Sequence, residues 1–165
     1  MIRALPALLL GAVALSGCGL QPLYSGGSSG TVARSLSGVE VAPIDGQAGW
    51  LVRNAINDRL VASGPGEKRY RLEVVLDDQL TGFGVRTDNA VTRERRTLRA
   101  RYKLVEGTTV VVDATAGSDA GIDVVGSEYA TIAAEQTALE RLAQDIADQI
   151  VTRLALYAKR TAPEQ

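Results

Sequence analysis

A run of alternating residues between Val91 and Leu104 constrains the fold of this chain more than any other stretch. Apolar or neutral side chains occupy the even positions from Leu98 to Leu104, and cations occupy most of the odd positions. Because successive side chains of a strand point to opposite faces, this pattern predicts a strand with one buried face and one basic face. Such a strand needs neighbouring strands and a second layer that covers its apolar side.

The odd-position cations form a line along this strand, which we call the cation row. Alternate strand residues lie about 6.5–7 Å apart, so five of them would span roughly 30 Å. Guanidinium groups bind phosphate and carboxylate oxygens bidentately, which makes the row a candidate site for an anionic ligand or an acidic partner. It can equally be a solvated face that neighbouring acids neutralise. The row consists of Arg93, Arg95, Arg99, Arg101 and Lys103.

The segments on either side of this strand predict its partners. Tyr70 to Leu80 alternates in the same way, Gly82-Phe83-Gly84 interrupts the pattern, and residues 87–89 resemble a hairpin tip. After the basic strand, Val105-Glu106-Gly107 predicts a three-residue hairpin loop. The three strands should therefore form an antiparallel meander.

The predicted hairpin loop implies a specific register. It places Leu104 opposite Thr108 and Arg99 opposite Asp113, so that apolar residues face apolar or neutral ones. Residues 117–126, which are rich in glycine and aspartate, are expected to form a loop.

Two helices and one short strand complete the predicted domain. Apolar residues recur at helical spacing from Gly49 to Ser63 and from Glu128 to Lys159, with Leu142 and Ile146 expected in the core. Val39 to Ile44 is predicted as a short strand that ends or lies at an edge because of Pro43. The order β-α-β-β-β-α predicts an α+β fold. It would be a two-layer sandwich of a four-stranded, mostly antiparallel sheet with two helices on one face. The neighbour of the first strand is left open, and Trp50 is expected to anchor either the core or a seam between elements.

Composition excludes several classes of function. The chain has no histidine, one cysteine and a net charge of −1. Internal disulfides, Cys/His metal sites and Ser/His or Cys/His catalysis are therefore excluded. No spaced pair of carboxylates suggests acid–base chemistry, so we expect neither an enzyme nor a cofactor. A net charge near zero also provides no general attraction to nucleic acid.

The lone cysteine closes an N-terminal segment with the pattern of an export signal. One cation, Arg3, precedes an apolar run from Ala4 to Leu15, and Leu15-Ser16-Gly17-Cys18 follows. The motif resembles the bacterial lipobox, which implies cleavage before Cys18 and lipidation of that residue. The alternative is an ordinary signal peptide that happens to contain a cysteine. The run is too short for a transmembrane helix, which needs about 20 apolar residues.

These features divide the chain into four parts. Residues 1–17 are the predicted signal peptide, and residues 18–38, rich in glycine and serine, are the lipidated cysteine and a flexible tether. Residues 39–160 form the single sandwich domain, and residues 161–165 form a tail. Gly19 stands where an aspartate often retains lipoproteins at the inner membrane, so the pattern resembles outer-membrane sorting.

Three segments of this sequence resemble the LPS-assembly lipoprotein family, LptE, particularly its alphaproteobacterial members. The resemblance rests first on Cys18-Gly19-Leu20-Gln21-Pro22-Leu23-Tyr24, directly after the lipobox. A basic alternating strand with Arg93 and Tyr102-Lys103-Leu104 and a C-terminal helix beginning Glu128-Tyr129-Ala130-Thr131 support it. The resemblance extends over the whole mature chain.

The resemblance implies a non-enzymatic lipoprotein anchored in the outer membrane, facing the periplasm and the lumen of a β-barrel. It would plug and assist the assembly of the LPS-translocating barrel LptD, and bind LPS during its delivery to the outer leaflet. The cation row would then contact either phosphates of LPS or acidic residues of the barrel lumen. The alternative function is that of an auxiliary lipoprotein subunit of an envelope phospholipid transporter of the ABC type.

Overall fold

The computed structural model describes residues 30–64, 66–85 and 91–161. The predicted signal peptide, Cys18, the hairpin tip at 87–89 and the tail beyond Thr161 lie outside these residues. The elements are helix α1 (Thr31–Ser37), strand β1 (Val39–Val41), helix α2 (Gly46–Val61), strand β2 (Tyr70–Val85), strand β3 (Val91–Glu106), strand β4 (Thr109–Asp123) and helix α3 (Glu128–Thr161).

The four strands form one sheet in the order β1-β2-β3-β4. β1 runs parallel to β2, and the other two pairs are antiparallel. This settles the neighbour of the first strand and confirms an α+β fold with a mostly antiparallel sheet. β1 ends at Val41, and Pro43 follows two residues later, as expected for a residue that cannot donate to the ladder.

The helices cover one face of the sheet, which we call the inner face. Even-numbered residues of β3 point toward them, and Leu98, Ala100, Tyr102 and Leu104 are at most 2% exposed. From α3, the predicted core residues Leu142 and Ile146 are 1% and 0% exposed. Burial of a large aliphatic side chain contributes about 1.5–3 kcal/mol, so this layer is a major source of hydrophobic stabilisation.

A third helix precedes the predicted domain. The tether predicted for residues 18–38 is wrong over its last part, because Thr31–Ser37 form α1 and pack into the core. Val32, Ala33 and Leu36 are all less than 9% exposed. Two helical turns are too short for the spacing of apolar residues to indicate a helix in the sequence. A helix of this length depends on tertiary packing for its stability.

The hairpin between β3 and β4 is tighter than predicted, and its register is different. Only Gly107 and Thr108 form the turn, and Gly107 has a φ of 59°, a conformation that glycine adopts without strain. A bulge at Leu104/Val105 then places Leu104 opposite Val112 rather than Thr108. The displacement from the predicted register is four residues. Because this number is even, the side chains of β4 from Val112 onward keep their predicted faces.

Two strands are also longer than the sequence indicated. β2 continues through Gly82-Phe83-Gly84 to Val85, with Phe83 paired to Arg93. β4 continues to Asp123, although residues 117–126 were expected to form a loop. Glycine and aspartate have low strand propensity, and here the ladder with β3 overrides that local preference.

The expectation that Trp50 anchors the core is wrong, since this residue is 62% exposed. The buried face of α2 passes instead through Gly49, Val52 and Ile56. At Gly49 a Cβ atom would lie 2.5 Å from the carbonyl oxygen of Ile44. The backbones approach closely at this glycine, and the indole of the next residue therefore points to solvent.

Candidate functional site

The cation row lies on the face of the sheet that no described helix covers, which we call the open face. Arg93, Arg95, Arg99 and Arg101 are exposed and Lys103 is half-buried. From Arg93 to Lys103 the row spans eleven residues of β3, which are ten steps or about 33 Å. The alternation along β3 therefore places all five cations on one side, as the sequence predicted.

Aspartates of β4 accompany three of these arginines. The predicted pair of Arg99 with Asp113 is not formed, because the actual register places Arg99 opposite Gly117. The pairs are Arg93 Nε with Asp123 Oδ1 at 3.0 Å, Arg95 Nε with Asp119 Oδ2 at 3.7 Å, and Arg101 with Asp113 Oδ2 at 3.4 Å. Sequence analysis identified only Asp113, since Asp119 and Asp123 lie in the segment expected to be a loop.

The open face as a whole is balanced in charge. The outward positions of the described strands carry equal numbers of cations and acids, so no net field draws anions to this surface. Any ligand must therefore be recognised at particular side chains. The cations are Arg71, Arg93, Arg95, Arg99, Arg101 and Lys103, and the acids are Glu40, Glu73, Asp77, Asp113, Asp119 and Asp123.

Arg99 differs from the other arginines of the row. Within the described residues it forms no ion pair closer than 4.0 Å, and its neighbours across the sheet are Asp77 and Gly117. The missing side chain at Gly117 leaves an open depression of about 570 Å³ beside the guanidinium, with Thr97 and Thr115 on its rim. Arg99 and the two hydroxyl groups are donors that suit an oxyanion, whereas Asp77 and Asp119, which line the same depression, favour a cation.

The sixth cation of this strand, Arg96, has an even number and points toward the helices. Its Nε and Nη2 donate to the two carboxylate oxygens of Asp78 at 2.9 and 2.7 Å. Its Nη1 donates to the carbonyl of Glu135 at 3.2 Å, which links β3 to α3. Because all three groups of this side chain have protein partners, Arg96 is a structural residue.

Beside Arg96, Glu94 also points inward. Burial and the neighbouring charge of Glu135 raise the pKa of Glu94 above its usual range. Its Oε2 is shielded from solvent and has no hydrogen-bond partner among the described residues. The even position within the alternating run was the sequence signal for this orientation, and sequence analysis did not use it.

The described part of the chain contains no group of three or more His, Cys, Asp or Glu side chains that is arranged to hold a metal ion. None of its helices is long and apolar enough to span a membrane. The candidate lipidation site, Cys18, lies outside the described residues, so the structure adds nothing to that prediction.

Comparison with protein families identifies the chain. The model of a lipopolysaccharide-assembly family, LptE, matches residues 36–154, which is most of the sequence. The chain belongs to the LptE family. This confirms the resemblance seen in the sequence and gives the protein a non-enzymatic role in LPS assembly. The family is associated with the outer membrane.

Solved structures share this fold. A lipoprotein from Caulobacter crescentus is 26% identical, with a TM-score of 0.68, 82% of this chain covered and 100% of that chain covered. Rare lipoprotein B from Shewanella oneidensis has 10% identity and a TM-score of 0.59, with coverage of 74% and 96%. A minor lipoprotein from Acinetobacter baumannii has 12% identity and a TM-score of 0.60, with coverage of 77% and 95%. A comparison with curated proteins finds no match.

Proposed function

We propose that this LptE-family protein is anchored in the outer membrane by lipid on Cys18, plugs the LPS-translocating barrel LptD and assists its assembly. It binds LPS during delivery to the outer leaflet. Family membership supports the barrel and LPS as partners. The open face supports a contact with them, because it is a four-stranded surface without a covering layer in the described chain.

The residues of the open face that support LPS binding are those of the cation row. LPS presents phosphate and carboxylate groups, for which guanidinium forks are suitable donors. Since the aspartates of β4 already occupy Arg93, Arg95 and Arg101, Arg99 is the arginine of the row most available to a ligand. If acidic groups of the barrel lumen replace LPS as the ligand, the same residues form the protein–protein interface.

Affinity purification from envelope extracts tests the proposed partner. The full chain, tagged at its C-terminus, is expected to retain a large outer-membrane β-barrel protein, identified by mass spectrometry after crosslinking. Recovery of an inner-membrane permease or a soluble lipid-binding subunit, without a barrel, would instead favour the auxiliary subunit of a phospholipid transporter. A non-lipidated secreted protein with the same tag serves as the control.

Replacement of Cys18 tests the anchor separately. Cys18→Ala should block lipidation and leave an exported protein that is unprocessed or free in the periplasm. Membrane fractionation and mass spectrometry of the mature N-terminus measure both effects. A Cys18→Ala protein that still carries acyl chains and sediments with outer membrane would contradict the lipobox assignment.

A further inference from the structure

A groove lies at the edge of the sheet that β1 forms. It has a volume of about 410 Å³ and is lined by the end of α1, by β1, by the last turns of α2 and by the segment that follows α2. Val39 and Leu60 contribute apolar side chains that are at most 6% exposed, whereas Val61 beside them is 75% exposed. The groove therefore presents apolar surface that the described chain leaves uncovered.

The charged group of this groove already has partners. Lys68 Nζ donates to the carbonyls of Ser37 and Val39 at 3.4 and 3.2 Å, so its charge is satisfied while its methylene chain lines the groove. Arg53 Nε donates to the next alternate carbonyl of β1, that of Val41, at 3.4 Å. Because side chains occupy these two carbonyls, we expect an occupant to bind through apolar side chains rather than as a further strand.

Asn57 adds a polar group without a partner. It is half-buried in the lining of the groove, and its side-chain amide forms no hydrogen bond within residues 30–64, 66–85 and 91–161. The hydroxyl of Ser37, in contrast, donates to the carbonyl of Arg34 at 2.8 Å. A partly buried amide without a partner is unfavourable, so the groove suits an apolar occupant that also brings one hydroxyl or backbone group.

The chain itself contains such a segment close to the groove. Residues 20–24 are two leucines, a glutamine, a proline and a tyrosine, with no charge. They precede α1, and the last residue of α1, Ser37, lines the groove. A helix of this length is about 10 Å long, and residues 25–30 can extend over about 20 Å. The segment can therefore fold back onto the groove.

We propose that residues 20–24 dock into this groove, with Leu23 and Tyr24 covering Val61 and the tyrosine hydroxyl available to Asn57. The covalent connection favours this occupant, because a short linker gives an effective concentration in the millimolar range and weak apolar contacts then suffice. Pro22 favours it as well. Proline restricts itself and the preceding residue to extended conformations, which lowers the entropy lost on docking.

Docking would replace a long tether by a short one. The twelve residues from Gly19 to Gly30, if undocked, would have an r.m.s. reach of about 19 Å. With Leu20 in the groove, Cys18 lies within about 7 Å of it. A lipid on Cys18 would then hold the β1 edge of the sheet at the membrane surface and the β4 edge away from it. This orientation rests on the proposed lipid anchor, whereas the docking does not.

Thiol labelling tests the docking. Val61→Cys introduces the only free thiol of the purified lipoprotein, because lipidation consumes the chain's single cysteine, Cys18. We expect a maleimide to label it in detergent at least fivefold more slowly than Val75→Cys. Val75 lies on the open face with a matched exposure of 73%, against 75% for Val61. Peptide mass spectrometry assigns the label to its position, so a free thiol at Cys18 would be detected separately.

Variants of the segment show whether it causes the protection. Leu23→Asp/Tyr24→Asp should raise the labelling rate of Val61→Cys at least fivefold, because charged side chains are costly to bury in an apolar groove. Ser28→Asp/Ser29→Asp adds the same charges between the segment and α1 and should leave the rate unchanged. The rate at the open-face control position should not respond to either pair. Circular dichroism checks that all variants fold.

Three results would overturn the proposal. The first is a labelling rate of Val61→Cys that Leu23→Asp/Tyr24→Asp does not change. The second is protection that decreases on dilution of the protein, which would mean that a second copy occupies the groove. The third is loss of protection in the Cys18→Ala protein, which keeps residues 20–24 but has no lipid, since acyl chains would then be the occupant. Protection that persists in Cys18→Ala supports docking whether or not the lipid anchor is correct.

Discussion

The two faces of the sheet are built from the same strands, yet they differ in what their side chains contact. On the inner face, β3 contributes Leu98, Tyr102 and Leu104, all at most 2% exposed and packed against helices. On the open face, the odd-numbered residues of the same strand include four exposed arginines and a half-buried lysine, and three of the arginines pair with aspartates of β4. Since hydrophobic burial dominates stability, the inner face should determine folding and the open face should be free to serve recognition.

The difference is clearest between two consecutive residues. Arg96 points inward and its side chain is 16% exposed, whereas Arg95 points outward and its side chain is 59% exposed. Both are arginines of β3, but only Arg96 donates to both oxygens of a carboxylate and to a carbonyl of a helix. Position on the pleat, rather than residue type, therefore determines whether an arginine of β3 is structural.

The largest effect should come from the inner face at Leu142. Truncation of a fully buried leucine to alanine typically costs about 2–5 kcal/mol, from lost transfer energy and the cavity that remains. Leu142→Ala should therefore lower the Tm of the protein sharply in thermal unfolding followed by circular dichroism. Glu140→Ala, on the exposed side of the same helix, is the control and should change Tm little. Equal effects would mean that the helix face is assigned wrongly.

A smaller effect should separate the two consecutive arginines. Arg96→Ala removes a half-buried charged hydrogen-bond network and leaves Asp78 without its partner, so we expect a loss of about 1–3 kcal/mol. Arg95→Ala removes one exposed pair at 3.7 Å and an exposed cation–π contact with Phe83 at 5.4 Å, and each contributes about 0–1 kcal/mol. Urea unfolding of both variants measures the difference. Equal losses of unfolding free energy would remove the distinction between the faces at this point of the strand.

The smallest effect should appear as a pH dependence at Glu94. Since burial and Glu135 raise the pKa of Glu94 in the folded protein, the folded state holds this proton to a higher pH than the unfolded state. This group therefore makes stability fall as pH rises from the ordinary glutamate pKa to the raised one. Glu94→Gln should raise Tm slightly at pH 7 and have less effect at pH 4. An equal change at both pH values would contradict this assignment, and Glu140→Gln is the exposed control.

Much of the fold follows from sequence because periodicity reports which face a residue occupies. The alternation of β3 and the helical spacing of apolar residues in α3 predicted the buried sides of both elements. The predicted core residues Leu142 and Ile146 are buried. Registers and element ends depend instead on contacts between segments. The two-residue turn and the bulge at Leu104/Val105 together displaced the register by four residues, which moved Arg99 from Asp113 to Gly117 and left every cation of the row on its predicted face.

The candidate site was therefore only partly predictable. The position of the cation row on one face was confirmed, because it needs only the period of a strand. Its neutralising partners Asp119 and Asp123 were missed, since their segment has the composition of a loop and becomes a strand only through pairing with β3. The short helix α1 was missed for a related reason, because its seven residues are stabilised by packing against the core.

One variant tests the central claim, which is that the open face serves recognition without contributing to the fold. In Arg95→Ala/Arg99→Ala/Arg101→Ala, circular dichroism and Tm should remain close to wild type, because exposed ion pairs contribute about 0–1 kcal/mol each. Charge-assisted hydrogen bonds in a partly enclosed site contribute roughly 1.5–3 kcal/mol each, so binding of purified LPS should fall at least tenfold.

The decisive measurement is LPS binding and barrel co-purification on this same triple variant. We predict a loss of LPS binding with retention of the barrel and of the native melting profile. Loss of the barrel with LPS binding intact would assign the cation row to the interface with the barrel lumen instead. If the variant keeps both partners, the cations are a solvated, charge-balanced surface, and the claim that the open face serves recognition is contradicted.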